Sequence, residues 1–501
     1  MLFNSAIFIF GFLPVVLLVY WGLHRAGKTQ AALSFLVPAS LVFYAYWNPP
    51  FVLLLIASIL FNYSFGNIIA RGRRKKAALS IAVIVNLAVL GWFKYAIMLA
   101  DTLNFMGDFT FDPGDIFLPL GISFFTFHQI TYLIDIYRSK ITPAGFRNYA
   151  LYVGFFPQLI AGPIVRAWEI VPQFEKFTGS EKFWRNMAVG SGFFITGLFK
   201  KVFIADTLAI YATPVFEMAK LGKSLTFFDG WSGALAYTFQ LYFDFSGYSD
   251  MAIGIALMLG FVLPINFLSP YKSTSITEFW RRWHITMSRF FRDYIYIPLG
   301  GNHGPTSHKI FNLTVTMFFA GLWHGAGWTF MAWGLLHGFY LAINNIFTTW
   351  REKSRPDLNI HALAYKIPAH ILTMFAIVIG WVLFRAENFG TATRILKAMS
   401  GVDGVVLPLR FSEWLAGDGW LRAAGIGERW ISTSSAAFFW IVAAYIICLT
   451  LPASAEYFGL QDGDEKRKLT LNKKTALALA TMGVIALFSM QRISEFLYFQ
   501  F

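Results

Sequence analysis

The sequence predicts an all-α polytopic membrane protein, a bundle of roughly 11 to 13 membrane segments that includes re-entrant pieces and interfacial helices. Three observations predict it. Of 501 residues, 56% are hydrophobic and only 14% are charged, too apolar a mixture for a soluble globule. Apolar runs long enough to cross a ~30 Å hydrocarbon core recur along the chain. The short connections between them alternate basic with neutral or acidic, the pattern left when Lys and Arg stay on the cytoplasmic side. In a soluble protein a net charge of +14 would suggest nucleic acid; here the loops account for it, and no nucleic-acid partner is expected.

The first segment, Phe3 to Trp21, has no Lys or Arg before it and no small-residue cleavage signature after it, which predicts a retained helix with its N-terminus outside. Arg25 and Lys28 follow. A second segment, Ala31 to Trp47, ends in the bare connection Asn48-Pro49-Pro50, and a third runs into Arg71-Gly72-Arg73-Arg74-Lys75-Lys76. The fourth, Ala77 to Ala100, leads to Asp101, Asp108, Asp112 and Asp115 with no Lys or Arg among them, again an outside loop. Ile116 to Tyr137 should return inside to Arg138, Lys140 and Arg147. Tyr149 to Val165 is apolar with basic residues at both ends and two prolines, so a re-entrant piece is expected, viable only where protein or water covers its irregular backbone. Further crossings are expected near Met187 to Tyr211, Phe227 to Phe245, Met251 to Phe267, Lys366 to Phe384, Ala436 to Leu451 and Thr475 to Met490. Arg385 to Arg429 should lie outside by parity yet holds six Lys/Arg; long loops obey the charge rule poorly. One membrane-embedded domain, 1–501, is expected, with N-terminal helices to 115, a core over 116–350 and C-terminal helices over 351–501.

A long charge-free run, Phe311 to Trp350, is enough for two crossings joined by a break, and its centre reads Gly321-Leu322-Trp323-His324-Gly325-Ala326-Gly327-Trp328. His324, about 15 residues from Lys309, would lie roughly 20 Å deep. A lone intramembrane His can be an interhelical hydrogen bonder among packing glycines. Ionisable groups at depth are costly, however, and mark pathways or reaction centres, and His suits proton transfer near neutrality.

Between Ser275 and Tyr296 a helix is expected, N-capped by Thr277 and ending before Pro298. Trp280, Trp283, Met287, Phe290 and Tyr294 recur on one face while Arg281, Arg289 and Arg292 fall on another, as in an interfacial helix lying on anionic headgroups. Headgroup binding explains the arginines but not His284, which shares the aromatic side and should point inward. A third polar cluster, Asp244-Phe245-Ser246-Gly247-Tyr248-Ser249-Asp250, has no basic neighbour in sequence. Its Asp244, Ser246 and Asp250 read either as a structural network satisfying a broken helix or as a substrate passage. His128 and Asp135 share a face of the fifth segment and invite one hydrogen-bonded line. His337 lies about 220° round from His324 if one helix were unbroken, so the two are not expected to share a site. His24, His303, His308, His361 and His370 fall in loops or near membrane edges. Cys448 is the only cysteine and sits in an apolar segment, which excludes an intrachain disulfide. Without CxxC, HExxH, a P-loop or a dinucleotide fingerprint, metal, nucleotide-hydrolysis and redox roles have no basis.

With these residues in view, the chain resembles the membrane-bound O-acyltransferase (MBOAT) family and, within it, the bacterial alginate O-acetyltransferase membrane-subunit branch. The matching stretches are Pro119 to Phe127, Phe155 to Pro163 (which holds Gln158), Tyr242 to Asp250, Phe279-Trp280-Arg281-Arg282-Trp283-His284, and Leu322-Trp323-His324-Gly325, in family order and continuing to the closing Tyr498 to Phe501. The resemblance implies acyl transfer onto a hydroxyl, with His324 required for chemistry. Many eukaryotic relatives place Asn where this sequence has His284, so a site role without a defined step is carried to it. It also implies an acetyl donor such as acetyl-CoA, no bound cofactor and no metal. Branch members work with a separate extracytoplasmic acetyltransferase partner protein that completes delivery to an exopolysaccharide, from the bacterial cytoplasmic (inner) membrane.

The leading expectation is therefore acetyl transfer through a membrane tunnel, with a thioester donor entering from the basic cytoplasmic face and a polysaccharide acceptor from the other. His324 and His284 are the catalytic candidates. Trp323, Trp280, Asp244, Ser246, Asp250, Gln158 and Arg281 are candidates for lining the passage or supporting the site. The competing class is a transporter or flippase of an acyl carrier or polysaccharide, with Asp244 and Asp250 coupling protons and His324 as gate. A third is a scaffold for an acetylation complex.

Overall fold

The structure, a computed structural model, describes residues 1–72, 74–107, 110–177, 183–355, 360–405, 435–460, 472–490 and Leu497. Among them every regular element is helical and there is no strand. After a wide π-type turn at Ile7–Phe12 come α1 (Leu13–Arg25), α2 (Thr29–Ala45), α3 (Pro50–Ala70), α4 (Lys75–Met106), α5 (Ile122–Tyr137), α6 (Phe146–Gly154), α7 (Phe156–Leu159), α8 (Ala167–Glu175) and α9 (Phe183–Phe199). A second π-type turn, Lys200–Ala205, leads to α10 (Asp206–Lys220), α11 (Phe227–Met258), α12 (Ile276–Arg282) and α13 (Ile285–Phe291). The rest are α14 (Thr306–His324), α15 (Trp328–Ser354), α16 (Leu363–Arg385), α17 (Phe389–Ser400), α18 (Ser435–Thr450), α19 (Ser454–Tyr457) and α20 (Lys473–Ser489).

Four helical spans are long and apolar enough to cross a membrane: Ile7–Arg25, Pro50–Ala70, Lys75–Met106 and Leu363–Arg385; Thr29–Ala45 and Ala436–Thr450 are shorter apolar helices. Leu18, Leu53, Phe105 and Leu372 on these helices are exposed, as residues facing lipid should be, because acyl chains there take the place of a protein core. The chain is an all-α polytopic membrane protein.

Its contacts fall into two compact units. The first comprises the described parts of Met1–Phe199, Gly247–Asn266 and Phe458–Gln491. In it α1 packs on α2, α3 and α4 pack on α5, and α9 packs on α20. The second comprises the described parts of Lys200–Ser246, Phe267–Tyr457 and Arg492–Phe501. Its centre is the antiparallel pair α14 and α15, with α16 and α12 against α15 and α17 against α10.

Three expectations change. The separate crossings Phe227 to Phe245 and Met251 to Phe267 are replaced by one unbroken helix, α11, followed by chain without regular structure from Phe261. The Asp244 stretch does not break it: Asp244 pairs with the buried Lys201 and so needs no freed backbone group. The helix expected from Thr277 to Pro298 is two short helices and a π-type turn, Arg292–Tyr296, broken at Trp283 and His284. Its cap is Ser275, whose hydroxyl accepts the Glu278 N–H at 3.1 Å, while the Thr277 hydroxyl donates to Asn344 on α15. His128 and Asp135 form no common line: the His128 Nε2 accepts the Val165 N–H at 3.2 Å, and Asp135 meets Lys140 at 3.9 Å. Tyr149 to Val165 is irregular as expected, broken between α6 and α7 and buried throughout. Asp108, residues 406–434 and Tyr498 to Phe501 lie outside the described residues.

Candidate active site

The charge-free run folds as the sequence predicts, into two helices joined by Gly325, Ala326 and Gly327. Close approach makes the pair. A Cβ on Gly321 would drive into the Phe330 carbonyl, and one on Gly334 into the Met317 carbonyl, so the backbones of α14 and α15 touch where these glycines face each other. At the break, a Cβ on Gly325 would occupy the Phe330 ring. α14 therefore ends on His324, held at the inner end of the hairpin and only 5% exposed.

His284 reaches the same place by a different device. It has φ 41° and ψ 54°, the left-handed region that costs an ordinary L-residue about 1–2 kcal/mol, where Asn, Asp and His are enriched among non-glycine residues. This kink between α12 and α13 turns the imidazole inward, and the side chain is completely buried. Its ring centroid lies 6.3 Å from that of His324.

Aromatic rings enclose the two imidazoles. Around His324 stand Trp323 at 4.9 Å, Phe384 at 5.1 Å and Trp333 at 5.2 Å, the last perpendicular to it. Around His284 stand Phe245 at 4.7 Å, edge to face, and Trp323 at 6.0 Å. Trp280 is one ring removed, packed on Trp333 at 5.8 Å. The rings of the box, Phe245 on α11, Trp323 on α14, Trp333 on α15 and Phe384 on α16, all lie in the second unit.

The remaining sequence candidates divide. Asp244 is an anchor beside the box: Lys201, 2% exposed in the π-type turn, pairs with both Asp244 and Asp206 (2.9 Å to the latter), and the Leu497 N–H donates to the other Asp244 oxygen at 3.4 Å. Phe245 then projects from the same turn of α11 onto His284. Ser246 is buried in this unit. Arg281 is exposed and outside the box. Asp250 and Gln158 belong to the first unit, where both are buried and the Gln158 amide donates to the Tyr152 carbonyl at 2.6 Å. Among the described residues, no three His, Cys, Asp or Glu side chains are grouped to hold a metal ion.

Sequence reasoning missed Trp333, Phe384, Lys201 and His337. On the arc of an unbroken helix His337 falls away from His324, but the chain breaks at Gly325 to Gly327 and His337 packs on Trp333 at 5.0 Å. The glycines flanking His324 were the available signal. Chemically, a neutral imidazole offers one donor and one acceptor, so the facing pair provides a proton acceptor and a hydrogen-bond donor in an apolar enclosure. A base so placed contributes typically ~10²- to 10⁴-fold to a group transfer from a hydroxyl.

The sequence profile of the membrane-bound O-acyltransferase family, MBOAT, matches residues 68–379. Over 436 residues the chain is 43% identical to the peptidoglycan O-acetyltransferase of Helicobacter pylori, covering 81% of each. It is 46% identical over 410 residues to the protein of Pseudomonas aeruginosa named "Probable alginate O-acetylase AlgI", covering 80% of this chain and 75% of the other. To the Azotobacter vinelandii protein of the same name it is 41% identical over 539 aligned positions that span both chains in full.

Proposed function

The chain belongs to the membrane-bound O-acyltransferase family and is an O-acyltransferase, and on that premise we propose that it moves an acetyl group from a cytoplasmic thioester, acetyl-CoA, to an extracytoplasmic glycan hydroxyl. The glycan is an alginate-type exopolysaccharide, and a separate extracytoplasmic acetyltransferase protein completes delivery. The site of action is the bacterial cytoplasmic membrane. The observation that carries this reading is the facing pair His284 and His324 in an aromatic box, an arrangement suited to a small, apolar acyl group. The relatives' names, which specify acetylation of alginate or of peptidoglycan, support the glycan acceptor. The basic connections after α1, α3 and α5 support a cytoplasmic donor, since they would gather an anionic thioester.

His324 takes the proton of the acceptor hydroxyl as its oxygen attacks the thioester carbonyl. His284 donates a hydrogen bond to the carbonyl oxygen as charge builds there. Collapse breaks the C–S bond, the thiolate takes the proton back from His324, and an acetate ester and a free thiol result. Trp323, Trp333 and Phe384 keep water, the competing acceptor, away from the reacting carbonyl.

Mass spectrometry of the surface glycans, with and without the protein, tests the assignment. Loss of O-acetyl groups from the exopolysaccharide, restored by the wild-type chain, is expected. Loss confined to peptidoglycan would replace the acceptor, and unchanged acetylation of every glycan would overturn the proposal.

A further inference from the structure

His337 takes no part in the steps above, yet its surroundings are as closely specified as those of His324. It is completely buried on α15. The Trp280 indole N–H donates to its Nδ1 at 3.3 Å. An indole N–H can only donate, so Nδ1 must be the unprotonated nitrogen and the proton of the neutral ring sits on Nε2. That nitrogen points at Gly380 on α16, where a Cβ would stand 2.7 Å away, and among the described residues it has no hydrogen-bond partner. The absence of a side chain at 380 makes room for the imidazole.

What the ring touches gives it a task. His337 packs on Trp333 at 5.0 Å and on Trp280 at 5.3 Å, and Trp280 packs on Trp333 at 5.8 Å. Trp333 also contacts His324, at 5.2 Å. Among the described residues the Trp333 indole N–H has no hydrogen-bond partner, so packing alone sets how this ring lies against His324. Of the rings that pack on it, Trp280 is held to His337, and Trp381, stacked on it at 5.8 Å, to the Tyr271 hydroxyl, each by a directional bond.

We propose that His337 is a positioning residue for the acyltransfer reaction: its Nδ1 fixes Trp280, and the two together fix Trp333 against the base His324. The inference rests on the reading of His324 as the base. A displacement of about 1 Å at a reacting group costs on the order of 10²-fold in rate, so a loosened wall acts on turnover more than on donor binding.

The test uses the full-length protein in detergent or liposomes with acetyl-CoA as donor. His337→Ala should lower kcat about 10- to 100-fold, with the donor KM within about twofold of wild type. His337→Asn, whose side-chain oxygen takes the place of Nδ1, should recover most of that loss. Trp280→Phe removes the indole N–H donor together with part of the ring and should reproduce at least part of it, and the Trp280→Phe/His337→Ala double variant should be no slower than His337→Ala alone. Gly380→Ala displaces the ring without deleting it and should also lower kcat, which covers the case in which His337→Ala fails to fold. Wild-type kcat in His337→Ala or Gly380→Ala overturns the proposal. So does an unrescued His337→Asn beside a fully active Trp280→Phe, because the imidazole would then act by itself. Activity in His324→Ala would instead overturn the reading of the base, a separate outcome.

Discussion

At the scale of the residue, the two buried imidazoles are held by different devices, the end of a helical hairpin at His324 and a left-handed backbone at His284. His324 announces itself as an ionisable group inside a charge-free run. His284 was placed inward by its aromatic neighbours, but its left-handed backbone was hidden, because Trp280, Trp283 and Met287 fit helical spacing whether or not the helix breaks between them. The break gives a prediction. His284→Asn keeps a residue type that tolerates positive φ, whereas His284→Val, β-branched, should lower stability by about 1–2 kcal/mol more in thermal unfolding in detergent; equal melting would count against strain at 284. The sequence carries no signal of the partner of Lys201, which lies inside the expected crossing Met187 to Tyr211 and is brought to Asp244 only by the fold. Lys201→Ala leaves two buried carboxylates without their cation and should cost about 3–5 kcal/mol, partly recovered by adding Asp244→Asn. No recovery in the double variant would refute the pairing as its cause.

Elements were read best where length and hydropathy decide, and worst where polar residues interrupt. The hairpin α14–α15 came out as expected because a run of that length must turn and glycines mark the turn. α11 did not, because polar residues inside an apolar stretch look like a break until their partners are known. The hairpin also yields a graded test. Gly321→Ala and Gly334→Ala each force a methyl into a facing carbonyl and should cost about 1–3 kcal/mol, with loss of activity as His324 shifts. Gly91→Ala on α4 meets nothing within contact distance and should be neutral or stabilising, since Ala is the better helix former. Similar melting shifts at all three positions would contradict close approach as the role of the first two.

For the whole molecule, orientation follows from charge in the loops, which the helices themselves do not encode. Cys448 is buried, so introduced cysteines can be labelled with little background. A membrane-impermeant maleimide should label Asp112→Cys in intact spheroplasts and Lys75→Cys only after permeabilisation; the reverse pattern would invert the topology and with it the side from which the donor arrives. Composition and loop charge made the membrane class legible, whereas the box around His324 and His284 draws its rings from α11, α14, α15 and α16, segments whose proximity no local pattern reports. The central claim, that His324 is the base of an acetyl transfer, is met most directly by purified wild-type and His324→Ala protein in liposomes with labelled acetyl-CoA, the partner acetyltransferase and a glycan acceptor. The account predicts transfer of label to the acceptor by the wild type and none above background by a His324→Ala protein that inserts and melts normally; undiminished transfer by that variant would contradict it.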